Sequence, residues 1–232
     1  MKNSEFLSHS MTRQEKAIGT LWLVFETLFF ATLLQILNRL LPAPLPQSEV
    51  NFIFFSANFI AVVLIFRRYL WTQLQQIPGV IEKVLLAAAQ GYLAYWLLNL
   101  LLAQVLFALN PDHFSINDVT IQNLVEEDYF LMFLGSVVLV PITEETLFRG
   151  LVFRGLYDRS PILAWVLSVV LFSAVHVIGY IGAYPMETIL LCFAQYIPAG
   201  VCLAGAYRLS GSLLSPILIH ALVNFVGMMS LR

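Results

Sequence analysis

Glutamate, histidine, arginine and asparagine stand inside otherwise apolar stretches of this chain in three short patterns. Glu144-Glu145 is followed by Arg149, Phe172 by His176 four residues on, and His220 by Asn224 at the same spacing. Ionisable groups at bilayer depth are costly, which makes them candidates for function. A pocket that gathers carboxylate, imidazole and amide holds the parts for hydrolysis: a base to activate water and donors for a developing oxyanion. Adjacent carboxylates on a helix point about 100° apart and take different roles. Glu145 and Arg149 share a helix face, so the guanidinium can neutralise one glutamate. Taken alone, that pair reads equally as an ion pair tying helices together. His176, His220 and Asn224, each taken alone, read as interhelical hydrogen-bonding groups.

The segments that must carry these residues are strongly apolar. The 232 residues are 59% hydrophobic with a mean hydropathy of +0.82, against roughly 45–50% apolar residues in soluble domains. Seven apolar runs, near 18–41, 52–66, 84–109, 129–156, 162–181, 188–207 and 212–231, are long enough to cross or nearly cross a bilayer. Hydrocarbon offers no partners to backbone groups, so each run is expected to be a helix. The expected architecture is an all-α integral membrane bundle of about seven transmembrane helices, a single domain over residues 1–232. The second run is short for about 30 Å of hydrocarbon, so it must draw in flanking residues or enter only partway. Turns are expected at Pro78-Gly79, Ser160-Pro161 and Ser210-Gly211. The longest connection, Asn110 to Asp128, is acidic and reads as an external loop. A net charge of −2 leaves no basic face for nucleic acid. Cys192 and Cys202 lie in one run, roughly 15 Å apart on a helix, and are expected to be free thiols.

Positive charge orients the bundle. With a cytoplasmic N-terminus and alternating spans, Lys2, Arg13, Lys16, Arg67, Arg68, Lys83, Arg154, Arg159 and Arg208 fall inside, and Arg39 and Arg232 outside. That bias supports a multi-pass protein of the cell membrane with its N-terminus in the cytoplasm.

Depth along the helices tests whether the patterns can meet. Counted from the basic ends, Glu144 lies about 18 Å in, His176 about 21 Å and His220 about 12 Å. Pro141 withholds a helix hydrogen bond just before the glutamates and crowds the carbonyl of Val137, so the helix is expected to open or kink there. Arg149 is expected to be buried, with Arg154 snorkelling to the surface.

The three patterns, in this order on late helices, resemble those of the CPBP intramembrane proteases, the group of CAAX prenyl proteases and their bacterial relatives. The stretch Gly211-Ser212-Leu213-Leu214-Ser215-Pro216 leading to His220 resembles the family's approach to its last pattern. The resemblance covers residues 129–232 as a catalytic core, with 1–128 as additional spans. It implies metal-independent hydrolysis of a peptide bond in a membrane-associated protein or peptide. Glu144 would be the general base, helped by His176. His220 and Asn224 would stabilise the oxyanion, and Glu145 and Arg149 would hold the first glutamate in place. Such a site needs water, so a cavity open to the cytoplasm is expected.

Two other readings use the same residues. Glu144, His176 and His220 could be three zinc ligands with water in the fourth position, although HExxH is missing. The pocket could also bind a peptide or partner without turnover, as a membrane scaffold or bacteriocin-immunity factor. Glu26, in the first run with no cation near it in sequence, either faces a cavity or lies neutral.

Overall fold

A computed structural model describes residues 11–231; Lys2 and Arg232, used in the charge count, lie outside them. The described residues form eight helices and no named strand. These are α1 (Arg13–Arg39), α2 (Gln47–Ile65), α3 (Arg67–Leu109), α4 (Ile116–Glu127), α5 (Tyr129–Tyr157), α6 (Pro161–Val175), α7 (Met186–Ser210) and α8 (Leu214–Ser230). By length and composition α1, α2, α3, α5 and α7 can each cross a membrane, and α6 and α8 are shorter apolar helices. The chain is an all-α membrane bundle.

Local chemistry sets the ends of these helices. Thr12 and Glu15 form a capping box, each side chain accepting from the other's backbone N–H, at 3.1 and 2.8 Å. Such a box satisfies two of the donors that a helix start leaves open. The other oxygen of Glu15 accepts from the Tyr69 N–H at 3.0 Å and so ties the start of α1 to that of α3. Ser160 caps α6, with Pro161 at its first position, where a missing N–H costs nothing. Helix α7 stops at Gly211, whose φ of 71° is the left-handed conformation glycine adopts freely.

Contacts sort the helix ends into two faces. At one, Met11 and Tyr69 lie over Gly150, Gln73 accepts from the Leu213 N–H, and Arg208 donates to the Tyr157 hydroxyl. This face carries Arg13, Lys16, Arg67, Arg68, Arg159 and Arg208. At the other, Glu127 accepts from the Ser48 N–H, the Tyr180 hydroxyl donates to Thr120, and Leu124, Val125, Met132 and Met228 form one cluster. Asp112, Asp118, Glu126, Glu127 and Asp128 belong to this acidic end.

Three expectations need correction. The acidic connection is not a plain loop: residues 116–127 fold as α4, capped by Ser115. Pro78-Gly79 does not end a helix, because α3 runs for 43 residues with Pro78 inside it. Gln73 meets Leu213 while Gly91 meets Ile219. Those contacts are about 27 Å apart along α3 but only about 9 Å apart along α8, so α3 bends between them. Pro78, which withholds a helix hydrogen bond there, is the cause. Arg154, thirdly, does not snorkel. It is enclosed and donates to Asp158 at 2.9 Å. The short second run does draw in its flank, since α2 begins at Gln47.

Gly91 lets α3 and α8 approach closely. A β-carbon at that position would fall 2.6 Å from Ile219 Cδ1, next to the residue that carries the last imidazole.

Candidate active site

Helix α5 is irregular on both sides of the glutamates. Leu134–Leu139 and Thr146–Phe153 are π-helical, with only Val140–Glu145 in α geometry between them. Such bulges recur at functional sites. In π registration the carbonyl of Ser136 would face the nitrogen of residue 141, which is proline and has no hydrogen. Asn224 Nδ2 occupies that acceptor, donating to the Ser136 oxygen at 2.7 Å. The local opening expected at Pro141 is therefore used: it docks α8 onto α5.

One turn further on, the two glutamates diverge. Glu145 and Arg149 have no exposed side-chain surface and pair with Nε 3.1 Å from Oε2. Arg149 also donates to Glu145 Oε1 at 3.2 Å and to the Gly200 carbonyl at 3.1 Å. Its guanidinium carbon sits 4.4 Å from the centre of the Phe172 ring. Charge, hydrogen bonds and a cation–π contact thus compensate the enclosed cation from three helices. Glu145 Oε1 lies 2.9 Å from His220 Nδ1. A carboxylate only accepts, so Nδ1 carries a proton and Nε2 is left for the cavity.

Glu144 has no such tether. Its Oε2 has no hydrogen-bond partner among the described residues and lies 4.0 Å from His176 Nε2. That is beyond a direct hydrogen bond. His176 Nδ1 is 2.8 Å from the Phe172 carbonyl, which forces the proton onto Nδ1 and leaves Nε2 facing the glutamate. The ring stacks on Tyr196 at 4.0 Å between centroids and meets Phe172 at 4.9 Å. Phe172 also touches Phe148 and His220 edge-on. The aromatic residue of the second pattern thus separates and orients both imidazoles.

A cavity of about 940 Å³ lies above this cluster and is bordered by Glu144, His176, His220 and Asn224. A smaller chamber of about 230 Å³ adjoins it between α3, α7 and α8. Glu144 and His176 retain 22% and 16% side-chain exposure, while Glu145 retains none. The cavity extends to Gln35, Asn51 and Ser230 near the acidic end. The basic end is closed by Leu147, Leu151, Phe153, Tyr207 and Leu213. Opening to the cytoplasm and a cytoplasmic basic end therefore cannot both hold: the space leads away from the basic end.

All six residues singled out in the sequence come together here. Others on the cavity were not marked by any pattern: Asn58, Tyr95, Asp118 and Tyr196. They are polar residues without a diagnostic partner at helical spacing, so only packing could find them. Glu26 also borders the cavity, and its lack of a nearby cation was the available signal. Among the described residues, no three His, Cys, Asp or Glu side chains are grouped so as to hold a metal ion.

Fold and site together define a multispan membrane protein with an acid–imidazole–guanidinium cluster at the floor of an internal cavity. Residues 126–226, which include all six cluster residues, match the family model described as Type II CAAX prenyl endopeptidase Rce1-like. Over that segment, somewhat less than half of the chain, the protein is similar to this family of CAAX proteases. The chain is also similar to an Escherichia coli protein described as an uncharacterized 24.3 kDa protein, with 28% identity over 190 residues, 78% of this chain and 82% of that protein. No solved structure matches the chain.

Proposed function

We propose that this protein is an intramembrane endopeptidase that hydrolyses a peptide bond with a water activated by Glu144, without a metal ion. The observation that carries this reading is the unequal fate of two neighbouring carboxylates. Glu145 is consumed by Arg149 and His220. Glu144 keeps an unpaired oxygen aimed at His176 across a gap of 4.0 Å, the spacing a bridging water fills.

In this mechanism Glu144 takes a proton from that water, and His176 Nε2 accepts the other hydrogen bond and orients it. The hydroxide adds to the scissile carbonyl carbon. The oxyanion is met by the free hydrogen of the Asn224 amide, whose other hydrogen is spent on Ser136. His220 contributes from Nε2 when its ring carries both protons, because Nδ1 is committed to Glu145. Donors fixed before reaction in a water-poor site stabilise developing charge strongly. Glu145 and Arg149 act as the anchor that holds His220 in place.

The substrate is a membrane-associated protein or peptide. The positive-inside bias supports a cytoplasmic basic end, and with that orientation the substrate would enter from the opposite face, past α4. The experiment uses the purified protein in lipid nanodiscs with a mixture-based fluorogenic peptide library, with and without chelator. Glu144→Ala, His176→Ala and His220→Ala should each lose nearly all cleavage, and chelator should have no effect. Full cleavage by Glu144→Ala would refute the mechanism. Loss to chelator with rescue by zinc would replace it with metal hydrolysis. A chain that cleaves no library member while binding peptides would be a scaffold.

A further inference from the structure

A second space opens off the reaction cluster, and the mechanism above makes no use of it. The chamber of about 230 Å³ shares His176, His220 and Asn224 with the main cavity, while Glu144 borders the main cavity alone. Three helices wall it. Helix α3 contributes Leu102, α7 the stripe Tyr196, Ala199 and Leu203, and α8 the pair Ile219 and Val223. Its inner wall is core: Leu203 and Ile219 are each 2% exposed and cluster with Phe148 and Phe172, with Ala199 and Val223 packed against them. Tyr196 stacks on the His176 ring at 4.0 Å, and Ala199 lies one turn on along the same face of α7, about 4.5 Å deeper. Between a tyrosine and a leucine, the stripe shrinks there to a methyl group. Close-packed interiors hold few voids larger than a water molecule, so an apolar-walled space of this size beside reacting groups calls for an occupant. It is smaller than the roughly 300–1,000 Å³ of a pocket for a whole small molecule, and it suits a single side chain.

Resting on the endopeptidase reading above, we propose that this chamber is a specificity pocket. It takes one bulky apolar side chain, leucine-sized or larger, from a residue that flanks the scissile bond, and Ala199 sets the size accepted. His220 and Asn224, which meet the oxyanion in the proposed mechanism, border both spaces. A peptide whose scissile carbonyl lies between Glu144 and those donors has a flanking Cα at that shared edge. Its side chain turns into the chamber while its backbone stays in the main cavity. Burial against Leu203, Ile219 and Val223 removes apolar surface from water and holds the carbonyl in place against the base. Ala199 and Leu102 line the chamber and not the main cavity. Substitutions there change the space for the side chain and leave Glu144 and its surroundings as they are.

The test uses the purified protein in nanodiscs and peptides built on a library sequence that it cleaves. Each residue flanking the scissile bond is varied in turn through glycine, alanine, leucine and phenylalanine. Wild-type kcat/KM should rise with side-chain size at one of the two positions and stay flat at the other. Ala199→Leu should reverse that order, cutting the phenylalanine-to-alanine ratio of kcat/KM about 10-fold to 200-fold. Leu102→Ala widens the same chamber from α3 and should extend acceptance to tryptophan, which decides the matter if Ala199→Leu does not fold. No size dependence at either position, or ratios unmoved by both variants, would overturn the pocket. If the wild-type protein cleaves nothing, the endopeptidase reading fails by itself, and binding decides the pocket. Dye-labelled peptides, varied through the same four residues at every position, are then titrated in fluorescence anisotropy. Affinity that follows side-chain size at one position and responds to Ala199→Leu keeps the pocket; affinity blind to size overturns it.

Discussion

His220 Nδ1 donates to Oε1 of Glu145 at 2.9 Å, and Arg149 reaches the same oxygen at 3.2 Å. One enclosed carboxylate therefore sets both the position and the protonated nitrogen of an imidazole on another helix. The adjacent Glu144 is free of this network. Arg149 and His220 together, not any property of the residue type, set Glu145 apart from its neighbour.

Breaking the anchor on one side should be worse than removing it altogether. Arg149→Met leaves Glu145 charged and enclosed, at a cost of about 3–5 kcal/mol. Combining it with Glu145→Gln removes the uncompensated charge, so the double variant should unfold at a higher temperature than the single one. Thermal unfolding in detergent checks the order.

Glu144→Gln should separate activity from stability. The enclosed Oε2 has no hydrogen-bond partner among the described residues, and an unsatisfied buried oxygen costs stability, so the unfolding temperature should equal or exceed that of the wild type. Removing a general base should lower cleavage by about 100-fold to 10,000-fold. Parallel unfolding and peptidase measurements on one preparation test both halves.

Asn224→Ala removes an oxyanion donor and also unplugs the Ser136 carbonyl. Loss of kcat of about 100-fold to 1000-fold is expected, with a lowered unfolding temperature because α8 loses its dock on α5. Asn224→Asp cannot donate to either oxygen and should be no better. Steady-state kinetics beside unfolding curves give the readout.

Asp118, at the mouth of the cavity, should make stability fall with rising pH. Asp118 is exposed as a residue but borders the cavity. The loss of solvent on that side pushes its carboxyl up from the ordinary 3.8, with the Ser115 hydroxyl and His176 opposing. Screening on the exposed side keeps the effect on stability small. The folded state then binds the proton more tightly than the unfolded chain. Its contribution is complete below that ordinary value and is lost as pH rises through the higher folded value. Asp118→Asn has no proton to lose. Its unfolding temperature should match the wild type in acid and exceed it above, which a pH series of melting curves checks.

Much of this was legible along the chain. Apolar runs announced the helices because the period and length of such segments depend only on local composition. The three patterns announced the site because a charge inside hydrocarbon is too costly to keep unless it is paired or used. The family match over 126–226 covers the same residues. Local signals failed where a neighbour decided the outcome. Pro78 reads as a helix end, yet the contacts of Gln73 and Gly91 with α8 carry α3 through it as a bend. The acidic connection reads as a loop, yet α4 forms where Ile116 and Leu124 can bury against the bundle.

The sequence by itself determined that this is a helical membrane protein whose acid, imidazole and amide groups lie at compatible depths, because residue spacing converts directly to rise along a helix. Only the tertiary structure decided which glutamate is tethered and which is free, that the cavity leads to the acidic end, and that Glu26 joins it from α1. Those facts depend on how helices distant in sequence are rotated and placed against one another, and no local spacing encodes a rotation between separate helices.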